Sequence, residues 1–363
     1  MKAIVLTKPK TLQLRDIPEP KLTDTNHVLI KVEACGICGS DIRYWAGENP
    51  WALHTLGAHV DNPPNMVLGH EFAGTVVKVN CAENEKWLGR RVGVQSYRVC
   101  GQCRFCTTGR ENLCRNMIHI GHAQGWGKMN YYPGAYAEYC LGWADLLHPI
   151  PEHIGCVEAA MADILCVAVH VVGRCHIYSG APIFCIGGGP AGLSIAQVAK
   201  VKGAGYVFIS DPSPIARNVI RHYKEFSVIA SEKQDAAAYI QEKMGGQKCA
   251  AIFDSVGSCD TFNMAIPLLE EAGTYINLAV HSTIIRLNAL ELGSERTITT
   301  SSNAYNRDLQ TAFALLNSRC INVKPWITHK FPLEDYARAF DLLTRTPKAA
   351  YKVVFEPWGN SVT

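Results

Sequence analysis

Three sets of residues in this chain have types and spacings that could do chemistry. Cys100, Cys103, Cys106 and Cys114 form C-x2-C-x2-C-x7-C within fifteen residues. Four thiolates at that spacing can close a tetrahedron round Zn²⁺ and leave no open position, the pattern of a structural metal site. C-x2-C-x2-C also begins iron–sulfur motifs, but those place a fourth cysteine, followed by proline, after three residues. Cys38, in Cys35-Gly36-Ile37-Cys38-Gly39-Ser40-Asp41, and His70-Glu71, in Gly69-His70-Glu71, form the second set. A lone histidine is more often a hydrogen-bonded structural residue than a ligand. Upstream of a thiolate quartet, however, this cysteine and histidine can be read as a second, open metal site.

The third set is Ile183-Phe184-Cys185-Ile186-Gly187-Gly188-Gly189-Pro190-Ala191-Gly192, which reads as strand, glycine turn and helix. Gly187, Gly189 and Gly192 fit G-x-G-x-x-G. The first permits a tight turn, the second lets a pyrophosphate approach the backbone, and the third lets helix and strand pack closely. Pro190 and Ala191 open the helix, whose N-terminus offers unpaired N–H groups and a positive dipole end to an anion. Asp211 stands 19 residues after Gly192, at the end of the next strand. A carboxylate there binds a ribose 2′-hydroxyl and repels a 2′-phosphate, which favours NAD over NADP. Arg217 could soften that preference, or be a solvated helix residue.

The elements that must position these residues change character along the chain. Up to about residue 157 the sequence is β-rich and loop-rich, with short β-branched runs at Val28–Val32 and Gly74–Val79 between Gly, Pro and Asn punctuation. From about Glu158, short apolar strands alternate with helical stretches: Ile183–Ile186 then Ala191–Lys202, Tyr206–Ser210 then Ile215–Tyr223, Ala250–Phe253 then Thr261–Leu269, and Gly273–Ala279. Such alternation predicts βαβ units and a parallel sheet. Helical stretches at Leu309–Leu316 and Leu333–Thr344 and a strand at Tyr351–Phe355 close the chain.

Length and composition agree with two globular domains: 363 residues, 48% hydrophobic and 18% charged. A net charge of +3, with no basic run longer than a pair, gives no support for nucleic-acid binding. The N-terminus lacks the apolar core of a signal peptide, and no apolar stretch is long enough to span a bilayer. Fifteen cysteines in such a chain point to reduced thiols, some of them metal ligands, and to a cytoplasmic protein. Cys185, Cys249 and Cys320 lie in apolar segments and read as small core residues.

Taken together, CGICGSD, the GHE triplet, the quartet spacing, GGGPAG and the tail from Ile327-Thr328-His329 through Phe331-Pro332-Leu333 resemble the zinc-dependent medium-chain dehydrogenase/reductases, close in pattern to sorbitol and L-threonine dehydrogenases. The resemblance covers nearly the whole chain. It implies an α/β architecture in which a discontinuous, GroES-like, β-rich catalytic domain (1–157 and 296–363) accompanies a Rossmann doubly wound parallel-sheet cofactor domain (158–295). It implies two zinc ions per chain: a structural one on the quartet and a catalytic one held by Cys38 and His70, with Glu71 as ligand or close neighbour. Asp163, in Asp163-Ile164-Leu165-Cys166-Val167, takes the position of a family glutamate, one methylene shorter, and is expected to ligate directly or through a water. Cys166 is a fallback ligand or a core cysteine. Ser40 matches the hydroxyl that takes the alcohol proton, and Tyr44-Trp45 could line the substrate pocket or simply pack.

Two features depart from the family pattern. Arg43 stands where many relatives carry a proton-relaying histidine. A guanidinium cannot relay at neutral pH, so the proton leaves through the cofactor ribose and water or through a group such as His54, and Arg43 is free to bind an anion or to face solvent. The Asn49–Asn65 loop, with His54 and His59, is longer than usual. The expected activity is hydride transfer between NAD and a secondary alcohol or its ketone, the alcohol being a polyol, a sugar-like compound or a cyclitol. The alternatives are an L-threonine-type amino alcohol dehydrogenase and an inactive dinucleotide-binding protein retaining only structural zinc. A homo-oligomer, tetramer or dimer, is expected, with no nucleic-acid or membrane partner.

Overall fold

The computed structural model describes residues 1–359. The chain folds as two compact units, Met1–Asp163 with Tyr305–Thr363, and Ile164–Ala304. In the first unit a mixed, largely antiparallel sheet runs in the order Leu147–Pro149, Arg91–Val94, Glu71–Val79, His27–Gly36, Lys352–Phe355, Ile327–Phe331, with Tyr139–Trp143 also paired to His27–Gly36. His27–Gly36 is its hub. This strand has three hydrogen-bonded neighbours and is buried at most positions, which explains an apolar run where a half-exposed strand would alternate. Val354 pairs with Gly36, and this pairing returns the end of the chain to the segment that carries Cys38.

The second unit is a six-stranded parallel sheet in the order Phe226–Ile229, Val207–Ser210, Ile183–Ile186, Cys249–Asp254, Leu269–Asn277, Thr297–Thr300. Numbered along the chain that order is 3-2-1-4-5-6, the doubly wound dinucleotide-binding arrangement. Its inner strands IFCI and CAAIFD are buried at every position, as a sheet covered on both faces requires.

The sequence reading passes over Phe226–Ile229 and the helix Ala236–Met244. The strand is short and half-buried at two positions, and the helix buries only Ala236 and Ile240, so neither shows a strong apolar period. The helix expected at Thr261–Leu269 ends at Ala265. Pro267 lacks the N–H that a continued helix needs, and a 3₁₀ turn Ile266–Leu268 leads straight into the strand Leu269–Asn277. Residues 296–304 group with the second unit, not the first, because Thr297–Thr300 pairs with Leu269–Asn277; residues 158–163 group with the first. Among the described residues no helix is long and apolar enough to cross a membrane.

Candidate metal centres and dinucleotide turn

The sulfurs of Cys100, Cys103, Cys106 and Cys114 all lie within 4.8 Å of one another. Cys103–Cys106 and Cys100–Cys114 are 3.5 Å apart and Cys100–Cys106 3.9 Å. Four thiolates 2.3 Å from one zinc would sit about 3.8 Å apart, and a disulfide would need about 2.05 Å. The spacing fits a single tetrahedral ion and leaves no room for an iron–sulfur cluster. Hydrogen bonds from the backbone N–H of Gln102, against some burial, and from that of Cys103 push the Cys100 thiol down to about 6. Burial pushes Cys106 up to about 12, so a cation is needed to hold all four as thiolates.

The second cluster is built by three neighbouring segments. Cys38 is the N-cap of the helix Gly39–Ala46, just beyond the hub strand, and Glu71 opens the strand Glu71–Val79, opposite Gly36. Gly69, at φ +90°, turns the chain into His70 where a Cβ would strike Tyr136. One ligand atom each from Cys38, His70 and Glu71 lies within 4.8 Å of the others.

Asp41, fully buried on the first turn of that helix, organises the group. Its Oδ2 accepts from Cys38 N at 2.9 Å and from Tyr136 Oη at 2.7 Å; its Oδ1 accepts from Gly69 N at 3.3 Å and lies 3.5 Å from His70 Nδ1. With Nδ1 turned to a carboxylate, His70 presents Nε2 on the other side, 3.5 Å from Ser40 Oγ, the arrangement by which a carboxylate orients a metal-binding imidazole. Burial opposes charge on His70, but Asp41 and Cys38 outweigh it and raise its pKa well above the usual value. Glu71 is fully buried and ion-paired with Lys352, while its Oε1 has no hydrogen-bond partner. A half-buried thiol, a buried imidazole and an orphaned, buried carboxylate oxygen converging on one point suit zinc with an open fourth position.

Asp163 is not drawn into this set. Its Oδ1 accepts from Ser96 Oγ at 3.3 Å, and burial pushes its pKa up to about 6. Its carboxylate nevertheless feels the charges of His70, Glu71 and Lys352. Cys166 is a buried residue of the helix Ala162–Val172 and belongs to neither ligand group. Arg43 is partly exposed, and its Nε donates to Glu48 Oε2 at 2.6 Å. Tyr44 is buried, its hydroxyl on Asn49 and its ring stacked on His122 at 4.6 Å, and Trp45 packs on Phe340. His54 lies half-buried in a π-helical turn, Ala52–Leu56, and His59 is exposed; neither belongs to a ligand group.

Four residues given no role on sequence border this centre: Asp41, His119, His122 and Lys352. His122 stacks on His119 at 4.0 Å and meets His70 edge-on at 4.4 Å. Neither of its ring nitrogens has a hydrogen-bond partner, and one lies within 4.8 Å of ligand atoms of Asp41 and His70. Burial and then His70 push His119 down to about 3. No spacing rule marks H-I-G-H in a loop. Asp41 alone had a signal, as part of CGICGSD.

At the dinucleotide turn, Gly187 has φ +89° and a Cβ on it would strike Ser255 Oγ. A Cβ on Gly192 would collide with the carbonyl of Gly187, whereas one on Gly189 would meet nothing within 4 Å, leaving open space where a pyrophosphate must approach. Pro190 begins the helix Pro190–Val201, a position where its missing N–H costs nothing. Asp211 accepts from Gly188 N at 2.8 Å and Ser213 N at 2.7 Å. Arg217 is not a solvated helix residue. It is buried, its Nη1 donating to the carbonyls of Asp211 and Pro212 and both Nη atoms gripping Glu232 at 2.7–2.8 Å.

Residues 24–152 match the alcohol dehydrogenase GroES-like domain and residues 190–318 the zinc-binding dehydrogenase family. The chain is 31% identical over 339 residues to D-arabitol-phosphate dehydrogenase of Enterococcus avium, covering 90% of this chain and 89% of that protein. It is 28% identical to L-galactonate-5-dehydrogenase of Escherichia coli K12, over 94% of each. A solved structure described as a short chain alcohol dehydrogenase of E. coli CFT073, complexed with NADH, superposes with a TM-score of 0.83 at 25% identity, covering 98% of this chain and 99% of that one. The chain belongs to the zinc-dependent medium-chain dehydrogenase/reductase family.

Proposed function

We propose that this protein is a zinc- and NAD-dependent dehydrogenase that oxidises a secondary hydroxyl of a polyol, sugar-like or cyclitol substrate, or reduces the corresponding ketone. The observation that carries this reading is the three-donor convergence of half-buried Cys38 with buried His70 and Glu71. A closed structural site would present a fourth protein ligand, and an inactive remnant has no use for such a set. Zinc held there would supply Lewis acidity at the substrate oxygen, and bound NAD would supply the hydride acceptor. Around them, Cys38 and His70 hold the metal, Asp41 fixes the imidazole and Ser40 Oγ takes the alcohol proton. With Arg43 paired to Glu48 and unable to relay a proton at neutral pH, Ser40 Oγ would pass that proton on by another route. The quartet Cys100, Cys103, Cys106 and Cys114 serves as the structural zinc site.

The glycine turn Gly187–Gly192 receives the pyrophosphate and Asp211 the adenosine ribose. Because both Nη atoms of Arg217 are engaged with Glu232 and backbone carbonyls, no guanidinium is spare there for a 2′-phosphate, which supports NAD. The names of the two curated relatives support a sugar-derived substrate. Thr297–Thr300 is a sheet edge without a further strand among the described residues, and Ile284 and Leu290 nearby in sequence are 83% and 84% exposed; both favour association with a second copy. Closely spaced unpaired thiols suit a reducing, cytoplasmic setting. The test is an NAD-reduction screen over polyols, cyclitols, amino alcohols and simple secondary alcohols with metal analysis. Polyol turnover with two zinc ions per chain is expected. Preference for L-threonine, or one zinc and no turnover, would refute the reading.

A further inference from the structure

A lysine is almost never fully buried without a partner, and the Lys352 side chain is 2% exposed. It opens the strand Lys352–Phe355, which brings the end of the chain beside the hub strand. Its ammonium is ion-paired with Glu71 Oε2, itself in a side chain 1% exposed, and donates to the carbonyl of Ile37 at 3.0 Å. Ile37 precedes Cys38, and its N–H donates to Val353 O at 2.9 Å. One side chain therefore grips both the segment that carries Cys38 and the carboxylate of Glu71. Space for the pair is made by Gly36, where a Cβ would collide with Glu71 Oε2 and press on Lys352 Cε and Met161 Cε.

We propose that Lys352 is a positioning residue for the metal of the Cys38–His70–Glu71 centre: it retains Glu71 Oε2, so that only Oε1 can turn to the metal, and its charge sets the net charge of the buried site. The inference rests on the reading that zinc occupies this cluster. A dication, the Cys38 thiolate, the Glu71, Asp41 and Asp163 carboxylates and the Lys352 ammonium sum to one negative charge at neutral pH. Without the ammonium the sum is two negative charges. A more negative buried centre binds a cation more tightly but opposes loss of a proton from a substrate alcohol. These effects run in opposite directions, whereas removal of a merely structural residue would loosen the metal and slow the enzyme together.

The experiment compares zinc-loaded wild type with Lys352→Met, Lys352→Arg and the double variant Lys352→Met/Glu71→Gln. Two quantities are read: zinc retention against a competing chelator, and the pH dependence of NAD reduction. Lys352→Met is expected to hold the second zinc about tenfold more tightly, to turn over about tenfold more slowly, and to move the rising limb of its pH–rate profile to higher pH. Lys352→Arg should stay within about threefold of wild type on both. The double variant removes both members of the buried pair, so it avoids an uncompensated charge if Lys352→Met alone does not fold. It restores the net charge of wild type but removes a zinc donor, so it should hold the second zinc less tightly than wild type, while the rising limb of its pH–rate profile returns to the wild-type position. Looser or unchanged zinc in Lys352→Met, or a double variant whose rising limb moves to higher pH as far as that of Lys352→Met, overturns the proposal. A wild-type chain that takes up only one zinc overturns the zinc reading of the centre itself, and with it the role of Lys352.

Discussion

The two sulfur-bearing clusters of the first unit show how surroundings divide metal sites by task. The quartet sits in a loop of fifteen residues, Cys100–Cys114, whose sulfurs are mostly half-exposed. All four ligands are alike and close in sequence. The Cys38–His70–Glu71 cluster draws its donors from segments more than thirty residues apart, leaves Cys38 half-buried and buries His70 and Glu71 among groups that tune them singly: Asp41 behind His70, Lys352 behind Glu71, His119 and His122 alongside. A closed set of identical ligands needs little help from the fold, because the ion organises it. An open set must be held in place by the protein, since the position left for substrate does nothing to hold the metal.

The sharpest break in that comparison is His70→Ala. It should lower kcat/KM by about 10³-fold or more and reduce zinc from two ions to one per chain, while the thermal midpoint moves little. The reverse pattern is expected of Cys103→Ser: loss of the other zinc, a Tm lower by on the order of 10 °C, and near-normal turnover per folded molecule at low temperature. If both substitutions damage rate and stability alike, the division of labour between the clusters fails.

Acid should also distinguish the two regions. His119 sits at about 3 in the fold, pushed down by burial and by His70, against 6.5 unperturbed. Between those values the unfolded chain binds the extra proton, so stability declines as pH falls from about 6.5 towards 3. His119→Phe should flatten this acid limb of the Tm profile, and an unchanged limb would remove His119 as a cause.

In the second unit, Asp211→Ala should reduce the ratio of kcat/KM for NAD over NADP by about tenfold or more. The smallest effect is expected at Asp163. Because its carboxylate ends on Ser96, Asp163→Asn should leave two zinc ions per chain and alter kcat by less than about threefold. Loss of one zinc would restore Asp163 to the ligand set and show that metal binding rearranges this side chain.

Local pattern carried much of the site. Four cysteines within fifteen residues declare themselves because their spacing is itself the geometry, and the glycine turn does so because strand, turn and helix are consecutive. Phe226–Ile229 and Ala236–Met244 went unread where a weak apolar period offered nothing to detect. Arg217 and Arg43 were left open for a different reason. Whether an arginine faces solvent or a carboxylate depends on what packs beside it, and Glu232 lies fifteen residues from Arg217.

The sequence by itself determined the closed zinc quartet, the dinucleotide turn, the alternation of strand and helix, and the family, because each is written in residues near one another or in motifs of fixed spacing. Only the tertiary structure decided that Asp163 ends on a serine, that His119 and His122 stand against His70, and that a lysine 281 residues beyond Glu71 is its ion-pair partner. Those pairings follow from strand register and burial. A buried charge must find its counter-charge wherever the fold brings one within reach, and no interval along the chain encodes that distance.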